Sequence, residues 1–170
     1  MNIATTERLL IKKFNLEDAA FLKDLVNTPN FLKFIGNRNV NTLKEAKAYI
    51  RKTHFKSYDA HGFGFYKLIL KETNLPIGTC GLVKRDELDD VDIGFAFLED
   101  YERKGYGFEA SKAIIKLAKE QFNLNKLLAI TVPYNTGSIK LLEKLGFTFE
   151  KKIKPFEDDE ELLLFAKTLK

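Results

Sequence analysis

The fold is decided by a stretch that reads Asp-Ile-Gly-Phe-Ala-Phe-Leu at positions 92–98 and Glu-Arg-Lys-Gly-Tyr-Gly-Phe-Glu-Ala at positions 102–110. The first run predicts a β-strand, and the glycines of the second predict a turn that opens a helix. The first turn of a helix leaves its N–H groups unpaired and carries the positive end of the helix dipole. Such a junction suits a phosphate ester, and Gly105 and Gly107 would let the backbone approach that phosphate closely.

The composition is that of one ordinary domain. The chain has 170 residues, of which 45% are hydrophobic and 15 are Phe, which is ample for a single packed core spanning residues 1–170. The net charge of +4 arises from 28 Lys and Arg against 24 Asp and Glu. A mild basic excess without a localised patch does not indicate a nucleic-acid partner, and a phosphate-rich small ligand would suit the same surface.

Two features of the sequence bear on the cellular compartment. Cys80 is the one cysteine, so an internal disulfide framework is excluded and a reducing compartment is favoured. Glu7 and Arg8 lie where a signal peptide would need an apolar run, and no stretch approaches the length of a membrane span. We therefore expect a cytoplasmic protein without a membrane partner.

The remaining sequence predicts a mixed sheet flanked by helices. Strands are predicted at residues 8–14, 64–70, 76–83, 91–98, 127–132, 147–153 and 162–167. Helices are predicted from capping residues at Asn15 and Thr42, over residues 105–121 and over residues 136–145, whereas residues 27–30 are predicted as a turn and residues 31–40 as irregular. The three central strands predict an antiparallel meander. A right-handed crossover through the helix at residues 105–121 makes the strands on either side of it parallel.

The order Gly105-x-Gly107-x-x-Ala110 also fits the glycine fingerprint of dinucleotide-binding folds. That interpretation requires the glycines directly after the strand and an acid about 20 residues further on to hold a ribose hydroxyl. Here the charged residues 102–104 intervene, and the end of the next strand offers Thr131 and Pro133 rather than such an acid. The meander is also wrong for a doubly wound sheet, so a nicotinamide-dependent oxidoreductase is the less favoured alternative.

A second motif follows the strand at residues 127–132. It reads Asn-Thr-Gly-Ser at positions 135–138 and continues to Lys-Leu-Gly-Phe at positions 144–147. Together the two motifs resemble the GNAT superfamily of acyl-CoA N-acyltransferases, and the resemblance covers nearly the whole chain. The acid-Ile-Gly-aromatic order at positions 92–95 is most similar to the branch that contains the ribosomal-protein N-terminal acetyltransferases.

The resemblance implies an α/β fold with a mostly antiparallel sheet in which one parallel pair splays apart, acetyl-CoA as cosubstrate and no metal. In this family the pantetheine arm lies in the gap between the splayed strands, and the pyrophosphate is bound by the backbone of the glycine turn. The cofactor-binding residues implied here are Phe97, Leu98, Arg103, Lys104, Gly105, Tyr106, Gly107, Phe108, Asn135 and Ser138. The family's loop usually begins with Gln or Arg, and this chain has Glu102 there, which would repel a pyrophosphate unless it points away.

The resemblance also names candidates for catalysis. Asp92 is the first candidate for the general base, directly or through water, although a solvated charge at the start of a strand is the alternative. Many family members use a Tyr seven residues after the Asn as general acid, but this chain has Leu142 at that position. Ser138 is the replacement that the N-terminal acetyltransferase branch implies, and Tyr134 is the other hydroxyl nearby. A serine in the first turn of a helix is also a common capping residue.

Other reactive side chains have simpler interpretations. Cys80 lies in an apolar run and is expected to be a buried structural thiol. His61 precedes a strand that borders the acceptor groove in this family, so it is either a base or a surface histidine. The acidic residues at 86–92 and 157–161 form solvated turns or a negative rim that attracts a cationic amine. The two histidines and one cysteine show no metal-ligand spacing.

These observations together predict an N-acetyltransferase that moves an acetyl group from acetyl-CoA directly to a primary amine in a ternary complex. The acceptor is expected to be a protein or peptide N-terminal amine or a small cationic amine. A non-catalytic CoA-binding regulatory domain is the alternative that the absent Tyr and the altered loop leave open. The chain is expected to be a monomer or a homodimer.

Overall fold

The computed structural model describes residues 2–170, which form one eight-stranded sheet with helices on both faces. The strands are β1 (Asn2–Thr5), β2 (Leu9–Lys13), β3 (Phe65–Leu70), β4 (Leu75–Val83), β5 (Asp92–Phe97), β6 (Lys126–Thr131), β7 (Thr148–Ile153) and β8 (Leu162–Thr168). The α-helices are α1 (Ala19–Val26), α2 (Pro29–Phe34), α3 (Leu43–Tyr49), α4 (Lys56–His61), α5 (Tyr106–Glu120) and α6 (Thr136–Lys144). A π-helical segment (Ile50–Phe55) joins α3 to α4, and 3₁₀ turns lie at Leu16–Asp18 and Glu99–Tyr101.

The strand order is β1-β2-β3-β4-β5-β6-β8-β7. All neighbouring strands are antiparallel except β5 and β6, which flank the crossover helix α5 and are parallel. The β5–β6 pair has a single point of register, at Asp92 and Leu128, whereas β4 and β5 stay in register from Gly78 and Phe97 to Val83 and Asp92. The predicted mixed sheet with a splayed parallel pair is therefore confirmed.

The two faces of the sheet carry separate apolar cores. On one face α5 and α6 pack against the central strands, and Ile114 of α5 and Leu142 of α6 are almost fully buried there. On the other face α1 and α3 pack over the meander around Phe14, with Ala46 and Ile50 fully buried. Each fully buried Leu or Ile side chain contributes about 1.5–3 kcal/mol to folding. The sheet is thereby fixed between two layers of helices.

Two elements differ from the sequence-based expectations. Residues 29–34, predicted as a turn leading into irregular chain, form helix α2, because the Thr28 hydroxyl accepts a hydrogen bond from the Phe31 N–H (3.2 Å) and Pro29 occupies the first turn. The prediction also had no strand at residues 2–5. Strand β1 has only four residues and pairs only with β2, so its formation depends on the hairpin contact.

Candidate active site

The splay of β5 from β6 leaves one edge of β5 open. The Leu98 N–H donates to the Ile77 carbonyl of β4 at 2.9 Å. In an antiparallel pair the hydrogen-bonding direction alternates from residue to residue, so the N–H groups of Phe95 and Phe97 point away from β4, toward the gap. These groups therefore form the free edge, whereas the N–H of Leu98 is already bonded.

The glycine turn presents a row of backbone donors next to this gap. Arg103 and Gly105 both have left-handed backbone conformations (φ 61° and 84°), and α5 begins at Tyr106. Within residues 2–170 the N–H groups of residues 103–108 have no hydrogen-bond acceptor, and the first bonded N–H is that of Glu109, which donates to the Gly105 carbonyl at 3.1 Å. Unpaired donors at the positive end of a 15-residue helix have the chemistry that suits an anion such as a pyrophosphate.

Gly107 lies where the turn, β5 and α6 meet. A Cβ atom at this position would lie 3.0 Å from Leu141 Cδ2 and 3.4 Å from Phe97 Cε2. A side chain here would press against α6 and against the free edge of β5. The glycine therefore keeps the turn close to the gap.

Arg8, the residue before β2, holds the glycine turn in place through side-chain contacts. Its Nε donates to Glu109 Oε1 at 2.7 Å, an Nη donates to the Lys104 carbonyl at 3.0 Å, and its guanidinium lies 4.2 Å from the centre of the Tyr106 ring. These contacts join the N-terminal hairpin to both ends of the turn. No local sequence pattern indicates this role for Arg8, because its partners lie about a hundred residues away along the chain.

Glu102, the unusual first residue of the turn, is bound on the side of α2. Its Oε2 accepts a hydrogen bond from Asn30 Nδ2 at 2.7 Å. The carboxylate is therefore engaged with α2 and does not contact the donor row at residues 103–108.

A cavity of about 220 Å³ continues from the gap to the face of β5 that lies under α1–α3. Asp92, at the foot of the splay, lines this cavity and is 1% exposed. Burial raises the pKa of the Asp92 carboxyl to about 6, against the opposing effect of Arg85, whose Nε lies 2.9 Å from Asp92 Oδ1. At neutral pH this arrangement holds a carboxylate in a nearly dry site, where it is ready to accept a proton.

Comparison with known proteins decides the family. The acetyltransferase (GNAT) domain family matches residues 8–148. The chain belongs to the GNAT acetyltransferase family. It is 32% identical over 158 residues to an uncharacterised N-acetyltransferase, p20, of Bacillus licheniformis, a match that covers 92% of this chain and 88% of the relative. It is 31% identical over 146 residues to another uncharacterised N-acetyltransferase, YnaD of Bacillus subtilis strain 168. This match covers 86% of this chain and 82% of the relative.

Solved structures share the fold along the whole chain. A GNAT-family acetyltransferase from Bacillus anthracis superimposes with a TM-score of 0.79 at 27% identity, covering 99% of this chain and 98% of that one. A ribosomal-protein-S5-alanine acetyltransferase from Vibrio fischeri gives 0.81 at 20% identity and coverage of 99% and 96%. The microcin C7 self-immunity acetyltransferase MccE, solved with acetyl-CoA and AMP, gives 0.81 at 16% identity and coverage of 96% and 93%. The last two similarities concern the fold alone.

This GNAT chain is thus an N-acetyltransferase of a family whose acetyl donor is acetyl-CoA. Neither the family nor the antiparallel meander fits a nicotinamide-dependent oxidoreductase. None of the helices formed by residues 2–170 has the length and apolarity needed to cross a membrane. The same residues contain no group of three or more His, Cys, Asp or Glu side chains placed to hold a metal ion.

The second sequence motif lies at the opposite wall of the cavity. Asn135 caps α6, since its Oδ1 accepts a hydrogen bond from the Ser138 N–H at 3.2 Å, and both residues line the cavity. Leu142, in the position of the family's Tyr, is 1% exposed and also lines it. Tyr134 is 52% exposed and does not line the cavity; its hydroxyl lies 3.3 Å from the Lys33 carbonyl and 3.2 Å from Glu160 Oε1. Of the two hydroxyls that the sequence offers as general acid, Ser138 is therefore the one that lines the same cavity as Asp92.

A buried histidine that the sequence analysis overlooked also lines the cavity. His54 lies in the π-helical segment, is 5% exposed, and stacks on Phe14 with a ring-centre distance of 4.4 Å. Its Nε2 has no hydrogen-bond partner among the described residues, and burial lowers its pKa to about 4. A lone histidine in a helix has no distinctive sequence pattern, although a π-helical turn is often found at a functional site. His61, the candidate base from the sequence, is exposed at the end of α4, stacks on Phe63 and does not line the cavity.

Cys80 is fully buried, and its Sγ lies 3.7 Å from Ser111 Oγ. Burial raises the pKa of the thiol to about 12. The expectation of a buried structural cysteine is confirmed, because a thiol of this kind is inert as a nucleophile.

Proposed function

We propose that this GNAT acetyltransferase transfers an acetyl group from acetyl-CoA directly to a primary amine, either a protein or peptide N-terminal amine or a small cationic amine. The observation that supports the proposal best is the continuity of the site. Unpaired N–H groups at residues 103–108 lead along the free edge of β5 to a cavity that holds Asp92 and Ser138. An anion site, an open strand edge and a buried base thus follow one another in the order of pyrophosphate, pantetheine arm and thioester.

In this proposal the donor is held mainly by backbone. The N–H groups of Arg103, Lys104, Gly105, Tyr106, Gly107 and Phe108 bind the pyrophosphate, each hydrogen bond to a charged group contributing about 1.5–3 kcal/mol. The pantetheine amides pair with the edge of β5 at Phe95 and Phe97. This assigns Phe95 a contact that the sequence analysis gave to Leu98, because the Leu98 N–H already donates to Ile77. The Asn135 side-chain amide, whose oxygen caps α6, faces the same arm.

Asp92 and Ser138 divide the proton transfers between them. Asp92 accepts a proton from the incoming ammonium or amine, and the raised pKa of about 6 suits a general base at neutral pH. A backbone N–H at the β5 edge polarises the thioester carbonyl. Ser138 donates a proton to the departing thiolate, in the first turn of the nine-residue helix α6, where the helix dipole also favours negative charge. The inert thiol of Cys80 supports direct transfer over an acetyl-enzyme intermediate.

Two observations support an amine acceptor of positive charge or peptide origin. Asp158 and Glu160, from the turn between β7 and β8, line the outer part of the cavity. Carboxylates there attract a cation as it approaches. The fold neighbour from Vibrio fischeri is named for its action on an alanine of a ribosomal protein. We propose a peptide N-terminus as the first acceptor to test.

The test is release of free CoA thiol from acetyl-CoA with a panel of peptides and small amines. Initial rates measured against both substrates should give intersecting lines in a double-reciprocal plot, as expected of a ternary complex. Cys80→Ala should retain full activity, whereas Asp92→Asn should lose it. Parallel lines, or loss of activity in Cys80→Ala with an unchanged Tm, would contradict direct transfer.

A further inference from the structure

The face of β5 under α1–α3 carries small side chains beyond Asp92. Strand residues alternate between faces, and Asp92, Gly94 and Ala96 share the face that lines the cavity, where Ala96 packs toward the Phe14 core. The alternate residues, Ile93 and Phe95, pack toward the α5 core on the opposite face. The Phe65 ring fills the space over Gly94, because a Cβ atom there would lie 2.9 Å from both Cε1 and Cζ of Phe65. The open part of the cavity on this face of β5 therefore lies at Ala96.

The walls around that space are aromatic and aliphatic. They are contributed by the end of β2, α1, α2, α3, β3 and the β7–β8 turn: Phe14, Val26, Phe31, Phe34, Tyr49, Phe65 and Phe156. An apolar cavity of about 150 Å³ is large enough to bind a benzene ring. The 220 Å³ here therefore accommodates a group of that size together with part of the thioester arm.

The charges around the cavity would not stabilise an acceptor that carries a second ammonium group in addition to the amine that is acetylated. Asp92 is paired with Arg85, and His54 has a pKa lowered to about 4, so it is neutral near pH 7. The other carboxylates that line the cavity, Asp158 and Glu160, belong to exposed positions of the β7–β8 turn. A second ammonium group beside Ala96 would be buried without a counter-charge, which is strongly unfavourable.

We propose that the acceptor is a primary amine that carries one bulky apolar group, an aromatic ring or a branched aliphatic chain, which packs against Phe65 and Ala96. This inference rests on the proposed function and specifies its acceptor. The same chemistry occurs in a peptide whose N-terminal residue is of the phenylalanine or leucine type and in a free arylalkylamine. It differs from a polyamine, from an aminoglycoside and from a peptide that begins with a small residue.

The test compares kcat/KM for four acceptors: a peptide with N-terminal Phe, the same peptide with N-terminal Ala, phenethylamine and spermidine. The two aromatic acceptors should exceed their non-aromatic counterparts by at least about 10-fold, because burial of an aromatic ring stabilises the bound state. The ratio of kcat/KM for the Phe peptide to kcat/KM for phenethylamine shows whether the preferred acceptor is a peptide or a free amine.

The variant Ala96→Leu fills the space and should lower kcat/KM for the aromatic acceptors by at least about 10-fold while leaving the Ala peptide unaffected. The matched control is Ala60→Leu, at an exposed position of α4, which should behave as wild type. Thermal unfolding monitors both proteins, and Ala96→Val serves with the same expected direction where Ala96→Leu lowers the Tm.

Different outcomes would overturn the preference for a bulky apolar acceptor and the acetyltransferase function itself. Equal or faster turnover of the Ala peptide or of spermidine by the wild type overturns the bulky-group inference and leaves the acetyltransferase proposal in place. An equal effect of Ala96→Leu on all acceptors also overturns it. Absence of turnover with every amine, in a protein that still binds CoA in titration calorimetry, overturns the proposed function itself.

Discussion

Replacement of His54 by Phe is expected to make the protein more resistant to acid. The imidazole is buried against Phe14, with an edge-on contact to Tyr49, and its Nε2 lacks a partner among the described residues. A buried polar atom without a hydrogen bond costs stability at any pH, and a proton on that ring would add a buried charge. Phe has a similar planar shape and avoids both costs.

The size of the effect follows from the pKa. In the folded protein the pKa of His54 is lowered to about 4, from 6.5. As the pH falls between these values, the unfolded chain takes up a proton that the folded chain rejects, so the free energy of unfolding falls. The loss is about 2.5 kcal/mol at pH 4.5 relative to neutral pH. The raised pKa of Asp92 acts in the opposite direction, since a carboxyl that is protonated more readily in the folded state gains stability as the pH falls from about 6.

The assay must therefore compare variants rather than follow the wild type alone. Urea unfolding at about pH 7.5 and about pH 4.5, followed by far-UV circular dichroism because the chain has no Trp, gives the free energy of unfolding of each protein. His54→Phe should lose about 2.5 kcal/mol less than wild type between the two pH values. His61→Phe, at the exposed second histidine, is the control and should follow the wild type. Parallel losses in wild type and His54→Phe would refute the argument that His54 is buried in its neutral form.

Three further predictions concern catalysis. Arg8→Ala should raise the KM for acetyl-CoA by about 10-fold, because the glycine turn loses its contacts with Arg8. Arg51→Ala, at an exposed position, is the control. An unchanged KM in Arg8→Ala would show that Arg8 does not hold the turn in place. Ser138→Ala should lower kcat with little change in the KM for acetyl-CoA, and an unchanged kcat would remove Ser138 from the mechanism. Asp92→Asn should lower kcat by about 100- to 10,000-fold, and the wild-type pH–rate profile should fall below about pH 6 as Asp92 is protonated; a profile flat to pH 5 would assign the base elsewhere.

Local sequence chemistry accounts for the parts of the site that were predicted. A glycine at left-handed φ, a helix start and an Asn cap each depend on neighbouring residues, so Gly105, Tyr106 and Asn135 were placed correctly on the turn and helices. The splay of β5 from β6 came instead from resemblance to a family. No periodicity distinguishes a parallel pair with one point of register from a full ladder.

The parts that were missed depend on distant partners. The fastening of the turn by Arg8 and the binding of Glu102 by Asn30 are side-chain contacts between elements far apart in sequence, which no local pattern encodes. The burial of His54 depends on α3 and α4 being joined through a π-helical segment over Phe14. The bonded state of the Leu98 N–H is set by the register of β4 and β5.

The single point of register between β5 and β6 has a consequence for how the protein responds to its donor. The other neighbouring strands of the sheet pair over several residues, but beyond this point β5 and β6 have no residues in register with each other. A pantetheine arm that pairs with Phe95 and Phe97 would act as a strand in this gap. Backbone amide exchange at these two residues should therefore slow when CoA is added, whereas exchange at Leu98, already bonded to Ile77, should change little.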